Sequence, residues 1–124
     1  MRRVILDTNF LIDCIRFKID LDEIDRLIDE EYKIFIPSTV LRELEKMSKG
    51  KTEAGNIAKI VLKLIGQKEF KIINMKGRNT DESIIKSVEK NDVVGTNDVE
   101  LKKKLKTLRN KTIYLRAKKY LDIS

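Results

Sequence analysis

Val4-Ile5-Leu6-Asp7-Thr8-Asn9 is a short apolar run that stops abruptly on a carboxylate. Val93-Val94-Gly95-Thr96-Asn97-Asp98 ends in the same way. Brief aliphatic runs bounded by polar turns suit buried strands of a parallel sheet, which are covered on both faces and need no polar alternation. In open α/β sheets the carboxyl ends of such strands face the crevice where ligands bind. Asp7 and Asp98 would then share one crevice, and Glu43 and Asp81 fall at comparable points between them.

Working outward, residues 3–6 read as the first strand and residues 10–17 as helical. Leu21, Ile24, Leu27 and Ile28 recur at helical spacing, which predicts a helix over 21–31. Lys33–Ile36 reads as a second strand ended by Pro37, with Ser38 as N-cap of a helix to about Met47. Thr52 caps the next helix, whose apolar side carries Ile57, Ile60, Val61, Leu64 and Ile65, and Gly66 ends it. Phe70–Asn74 is a third strand, and Thr80 or Asp81 caps a helix with Ile84, Ile85 and Val88 inward. Asp92–Gly95 is the fourth strand, Asn97 to about Leu108 a helix, and Thr112–Leu115 the fifth strand. Ala117–Ser124 reads as a turn or short helix. Strands alternate with helices, so the expected fold is α/β, with a central, mostly parallel five-stranded sheet covered on both faces. The 124 residues fit a single domain, 1–124.

Composition removes several chemistries. There is no histidine, so Ser–His and Cys–His nucleophilic catalysis and histidine acid–base chemistry are excluded. The usual ligands of a catalytic zinc are missing for the same reason. Cys14 is the one cysteine; no internal disulfide can form, and a reducing cytoplasm is the expected compartment. No apolar run approaches a membrane span, and Arg2-Arg3 precedes too short an apolar stretch for a secretory signal.

The net charge is +7, unevenly spread. Residues 1–50 hold 9 basic and 11 acidic side chains, and residues 51–124 hold 18 and 9. Lys102, Lys103, Lys104 and Lys106 form the densest group, a candidate surface for a polyanion such as RNA.

Each acid has a plain structural use. Asp7, Asp81 and Asp98 can cap helices, and Glu43 suits the start of one. Four carboxylates around one crevice, however, repel one another and raise each other's pKa. A divalent cation held by oxygen ligands relieves that conflict, and oxygen-only ligation suits Mg²⁺ or Mn²⁺. Asn9, Thr96 and Asn97 could orient the acids or a water.

The segments Ile5-Leu6-Asp7-Thr8-Asn9, Pro37-Ser38-Thr39-Val40-Leu41-Arg42-Glu43-Leu44, Thr80-Asp81-Glu82-Ser83-Ile84 and Val94-Gly95-Thr96-Asn97-Asp98 resemble, in order and spacing, the acidic motifs of PIN-domain nucleases. Phe10-Leu11, Glu100-Leu101-Lys102 and Tyr114-Leu115-Arg116 resemble the ribosomal-RNA-processing branch in particular; the VapC toxin branch shares the same acids. The resemblance implies a three-layer α/β/α PIN-like sandwich and a metal-dependent endoribonuclease using Mg²⁺ or Mn²⁺. It places Asp7, Glu43, Asp81 and Asp98 in the catalytic and metal site, with Asp7 and Asp98 as direct ligands and Asn9 and Thr96 as orienting groups. Attack by water would leave 5′-phosphate and 3′-hydroxyl ends. Thr80 stands where the family often has a small apolar residue, and Glu82 where the processing branch often has Asp. Whether Glu82 or Glu100 joins the site is open.

An antitoxin or a ribosome-assembly protein is the partner each branch implies, and the apolar faces of residues 10–31 and 53–66 suit a homodimer. A haloacid-dehalogenase-type phosphatase would want a second Asp where Asn9 stands, and a receiver domain would want paired acids early in the chain. A non-catalytic RNA-binding or assembly module on the same fold is the competing reading from another class.

Overall fold

In the computed structural model, which describes all 124 residues, the chain runs β1 (Arg2–Leu6), α1 (Thr8–Arg16), α2 (Ile24–Leu27), β2 (Tyr32–Pro37), α3 (Ser38–Ser48), α4 (Glu53–Gln67), β3 (Lys71–Ile73), α5 (Thr80–Ser87), β4 (Val93–Gly95), α6 (Val99–Thr107), β5 (Lys111–Arg116) and β6 (Tyr120–Ile123). The strands form one sheet in the order β3-β2-β1-β4-β5-β6. β1 pairs in parallel with β2 on one side and β4 on the other. The chain therefore leaves β1 in one direction and returns to its other flank. That reversal opens a crevice beyond the carboxyl ends of β1 and β4.

The pleat sends successive β1 side chains to opposite layers. Val4 and Leu6 join the larger core with Phe10, Leu11, Val40, Leu44, Ile57 and Val61, so α1, α3 and α4 cover that face. Ile5 joins Val94, Ile84, Leu101 and Leu105, so α5 and α6 cover the other. These layers are the α/β/α sandwich. At Gly95 a Cβ would stand 2.5 Å from Leu6 Cδ2 and 3.2 Å from Phe10 Cδ2. Glycine there lets α1 settle onto the junction of β1 and β4.

Four local expectations are corrected. The tail is neither a helix nor a lone turn but β6, a sixth strand antiparallel to β5. Its reversal is closed by the Lys119 N–H donating to the Arg116 carbonyl at 3.0 Å, with Ala117 and Lys118 at φ of 54° and 56°. Neither residue is Gly or Asn, the usual carriers of that conformation, so the turn left no compositional trace. The helix expected over 21–31 is a short 3-10 turn, Leu21–Glu23, followed by α2; Ile28 is already extended. Asp29-Glu30-Glu31 would place three negative charges at a helix C-terminus, where the dipole disfavours them. Ser38 is inside α3 rather than its cap; Pro37 holds the cap position, and the Ser38 hydroxyl meets Asn74 Oδ1 at 3.2 Å. The cap of α5 is Asn79, whose Oδ1 accepts from the Glu82 N–H at 2.9 Å, so neither Thr80 nor Asp81 serves there.

At the amino ends of β1, β2 and β3, opposite the crevice, lies a groove of about 1160 Å³. Ile28, Ile34 and Phe70 are among its lining residues, with Asp22, Asp25, Asp29, Glu30, Glu31 and Glu69 outnumbering Lys33, Lys68 and Lys71. No helix is long and apolar enough to cross a membrane. Cys14 is buried, and burial pushes its thiol up to about 12.

Candidate active site

Asp7 leaves β1 and caps α1. Its backbone N–H donates to the Gly95 carbonyl at 3.0 Å, which fastens it to the end of β4, and its Oδ1 accepts from the Phe10 N–H at 2.8 Å. It is only 4% exposed. Thr96, fully buried, lies beside Asp7 and helps hold its pKa down. The Thr96 hydroxyl oxygen accepts from the Asp98 N–H at 3.1 Å. Thr96 thus stands between the first acid and the last. Asp98 caps α6, its Oδ1 accepting from the N–H groups of Glu100 and Leu101 at 2.8 and 3.1 Å.

Glu43 projects from α3. Its Oε1 accepts from the Thr8 hydroxyl at 2.8 Å and also from the Thr80 hydroxyl. Asp81 follows Thr80 in the first turn of α5. Asp7, Glu43, Asp81 and Asp98 therefore arrive from four segments and line one recess of about 180 Å³, together with Thr8, Asn9, Asn79 and Thr80. No lysine, arginine or apolar side chain lines it. As the side chains stand, no three of the acids meet closely enough to hold one ion.

The electrostatics show the cost of that arrangement. Burial pushes Asp7 up to about 7; the bonds from Thr96 and Phe10 oppose the rise, and the charges of Asp81 and Asp98 add to it. Asp81 is raised as well, first by burial, then by Asp98 and Glu43, against a pull from Lys104. Desolvation and like charge both favour the neutral acids, and a bound cation would reverse that preference. The recess can hold a hard cation and water with oxygen donors.

The remaining candidates divide. Asn9 lines the recess, and Thr96 lies between two of its acids. Asn97 points elsewhere. Its Nδ2 donates to Asp13 Oδ2 at 3.0 Å and its Oδ1 accepts from the Leu115 N–H at 2.7 Å, so it ties α1 to β5 instead of orienting the acids. Glu82 turns outward to Arg78 and Lys86, Glu100 is exposed, and neither lines the recess.

Among the lysines, Lys102 is committed to Tyr114: its Nζ sits 3.5 Å from the ring centroid, and burial lowers its pKa. It is not a free phosphate contact as it stands. Lys103 is exposed, with Glu100 at 3.7 Å. Lys104 shares a hollow beside the recess with Arg78, Lys86 and Asp81, and Lys106 is exposed in the last turn of α6. Thr8, Asn79 and Thr80 were not among the candidate residues. A hydroxyl or amide directly beside an acid, in Asp7-Thr8 and in Asn79-Thr80-Asp81, was the available signal.

Residues 4–118 match the family described as a PIN like domain. The chain is 35% identical over 127 aligned positions to Ribonuclease VapC4 of Methanocaldococcus jannaschii, spanning 99% of this chain and 97% of that one. The solved structure of the PIN domain endonuclease Utp24 superposes with a TM-score of 0.79 at 26% identity, covering 97% of this chain and 90% of Utp24. A domain of a functionally unknown Methanocaldococcus jannaschii protein shares the fold, with a TM-score of 0.62 at 22% identity over 94% of this chain and 93% of that domain. One named relative is a ribonuclease and the other a PIN domain endonuclease. With four ordered acids, the reversal of strand order at β1 and a family match across most of its length, the chain belongs to the PIN-like domain family.

Proposed function

We propose that this chain is a metal-dependent endoribonuclease that hydrolyses RNA phosphodiester bonds at the recess between β1 and β4. The observation that carries the reading is the lining itself: four carboxylates from four segments and no basic side chain. The donor set fits Mg²⁺ or Mn²⁺, being all oxygen, partly buried and short of positive charge. Asp7 and Asp98 would be direct ligands, and Glu43 and Asp81 would complete the site or hold water. When bound, such an ion lowers the pKa of a water and neutralises charge developing on the phosphodiester.

The chain's own residues do the rest. Thr96 holds Asp7 and Asp98 in register, and Thr8 fixes Glu43. Asn9 and Asn79, at the rim, can donate to a phosphate oxygen. Lys104, in the hollow beside the recess, would meet a phosphate beyond the scissile bond. An RNA substrate agrees with the relative named as a ribonuclease. An antitoxin partner would follow from the VapC branch, and a role in ribosomal RNA processing, beside an assembly partner, from the other. Exposed Ile60 on α4 is an apolar side chain that a second copy could cover. A cytoplasmic location suits a lone, buried thiol.

The test is cleavage of a labelled RNA by the purified chain in Mn²⁺, in Mg²⁺ and in chelator. The expected products carry 5′-phosphate and 3′-hydroxyl ends and form only with metal. Products ending in 2′,3′-cyclic phosphate, or cleavage that persists in chelator, would overturn the mechanism. RNA binding with no cleavage under any metal would select the non-catalytic module instead.

A further inference from the structure

Glu43 is held in an unusual way for a buried-edge carboxylate: by hydroxyls, not by a cation. Thr8 and Thr80 both donate to its Oε1, while its Oε2 accepts no protein hydrogen bond. Thr80 is 4% exposed, and behind it Thr39, 3% exposed, lies with its hydroxyl 3.1 Å from that of Thr80. A hydroxyl has one proton, and a carboxylate only accepts. The Thr80 hydroxyl can donate to Thr39 Oγ1 or to Glu43 Oε1, and its one proton goes to the charged acceptor. Thr8 donates to the same oxygen from the other side. Thr80 also opens α5 directly before Asp81, so the same bond pins the first turn of α5 to α3.

We infer that Thr80 is a positioning residue, which fixes Glu43 with one oxygen occupied and the other presented to a cation while anchoring Asp81 beside it. The inference rests on the proposed metal site and adds a residue to it. One hydroxyl thereby takes up one of the two carboxylate oxygens and leaves the other free.

The experiment measures Mn²⁺ binding to the full chain without RNA, by the loss of the free-ion electron paramagnetic resonance signal. Metal-free thermal unfolding is recorded alongside. Thr80→Val, which keeps the shape and removes the proton, should weaken Mn²⁺ binding roughly tenfold, while Thr80→Ser should stay within about twofold of the parent. Should Thr80→Val fail to fold, Thr80→Ala introduces no added bulk and should show the same weakening. Parent-like binding by the folded hydroxyl-free variant, or equal weakening in Thr80→Ser, would reduce Thr80 to a packing role and overturn the inference. A parent chain that binds no Mn²⁺ rejects the metal site itself, and the inference falls with it.

Discussion

Asp7 carries opposing demands. As a cap it accepts from the Phe10 N–H, and as a buried acid it prefers to be neutral, with its pKa pushed up to about 7. A group whose folded pKa lies above its unfolded value stabilises the fold fully below the unfolded pKa and loses that contribution as pH rises through the folded one. In the metal-free chain the loss therefore runs from about pH 4 to above pH 7, and amounts to up to about 4 kcal/mol. Asp7→Asn keeps a cap acceptor and removes the titration. We expect the variant to lose RNA cleavage yet to melt higher than the parent in chelator at pH 8, with the gap closing toward pH 4. Unaltered cleavage in metal would remove Asp7 from the ligand set. At this scale Asp7 and Asp98 were legible, because a carboxylate that closes an apolar run is conspicuous, whereas Glu43 and Asp81 stand inside helices and were found by their order along the chain. Asn97 was misread for the same reason: it stands in the right segment, but its amide spans a gap between α1 and β5 that only the folded chain creates.

The elements are joined by single residues that span layers. Asn97 satisfies the Leu115 N–H with one end of its amide and Asp13 with the other. Asn97→Ala leaves both groups without that partner. It should cost about 1–3 kcal/mol in chemical denaturation. Mn²⁺ binding should change little, since none of the four acids loses a partner; a stable variant with lost metal binding would return Asn97 to the site. Outside residues 21–31, the strands and helices of the first 116 residues followed from apolar spacing and turn residues. What escaped was set by context: α2 is cut short where acids would crowd a helix end, and β6 is folded back by a turn of Ala117 and Lys118. Those two residues adopt a backbone state their types rarely choose, so no local reading would find the sixth strand.

Over the whole molecule, two acidic hollows stand at opposite ends of the strands. The recess and Lys104 lie toward the carboxyl ends of the strands, and the acid-rimmed groove lies at the amino ends of β1, β2 and β3. RNA affinity should fall steeply and linearly on a logarithmic salt axis, as counter-ions are released from each neutralised phosphate. Reversing Lys103 and Lys104 to Glu should weaken binding and reduce that slope by about 1–2. A slope unchanged by the reversal would move the RNA path off α6. The net charge of +7 was plain from composition, but which groups share an end depends on β1 sitting mid-sheet with its parallel neighbours aimed the same way. The six acids around the groove then acquire a use without touching anything. Under the proposed nuclease reading, that rim would keep a polyanion from settling at the far end of the strands, and exchanging its acids for neutral side chains should raise RNA binding there.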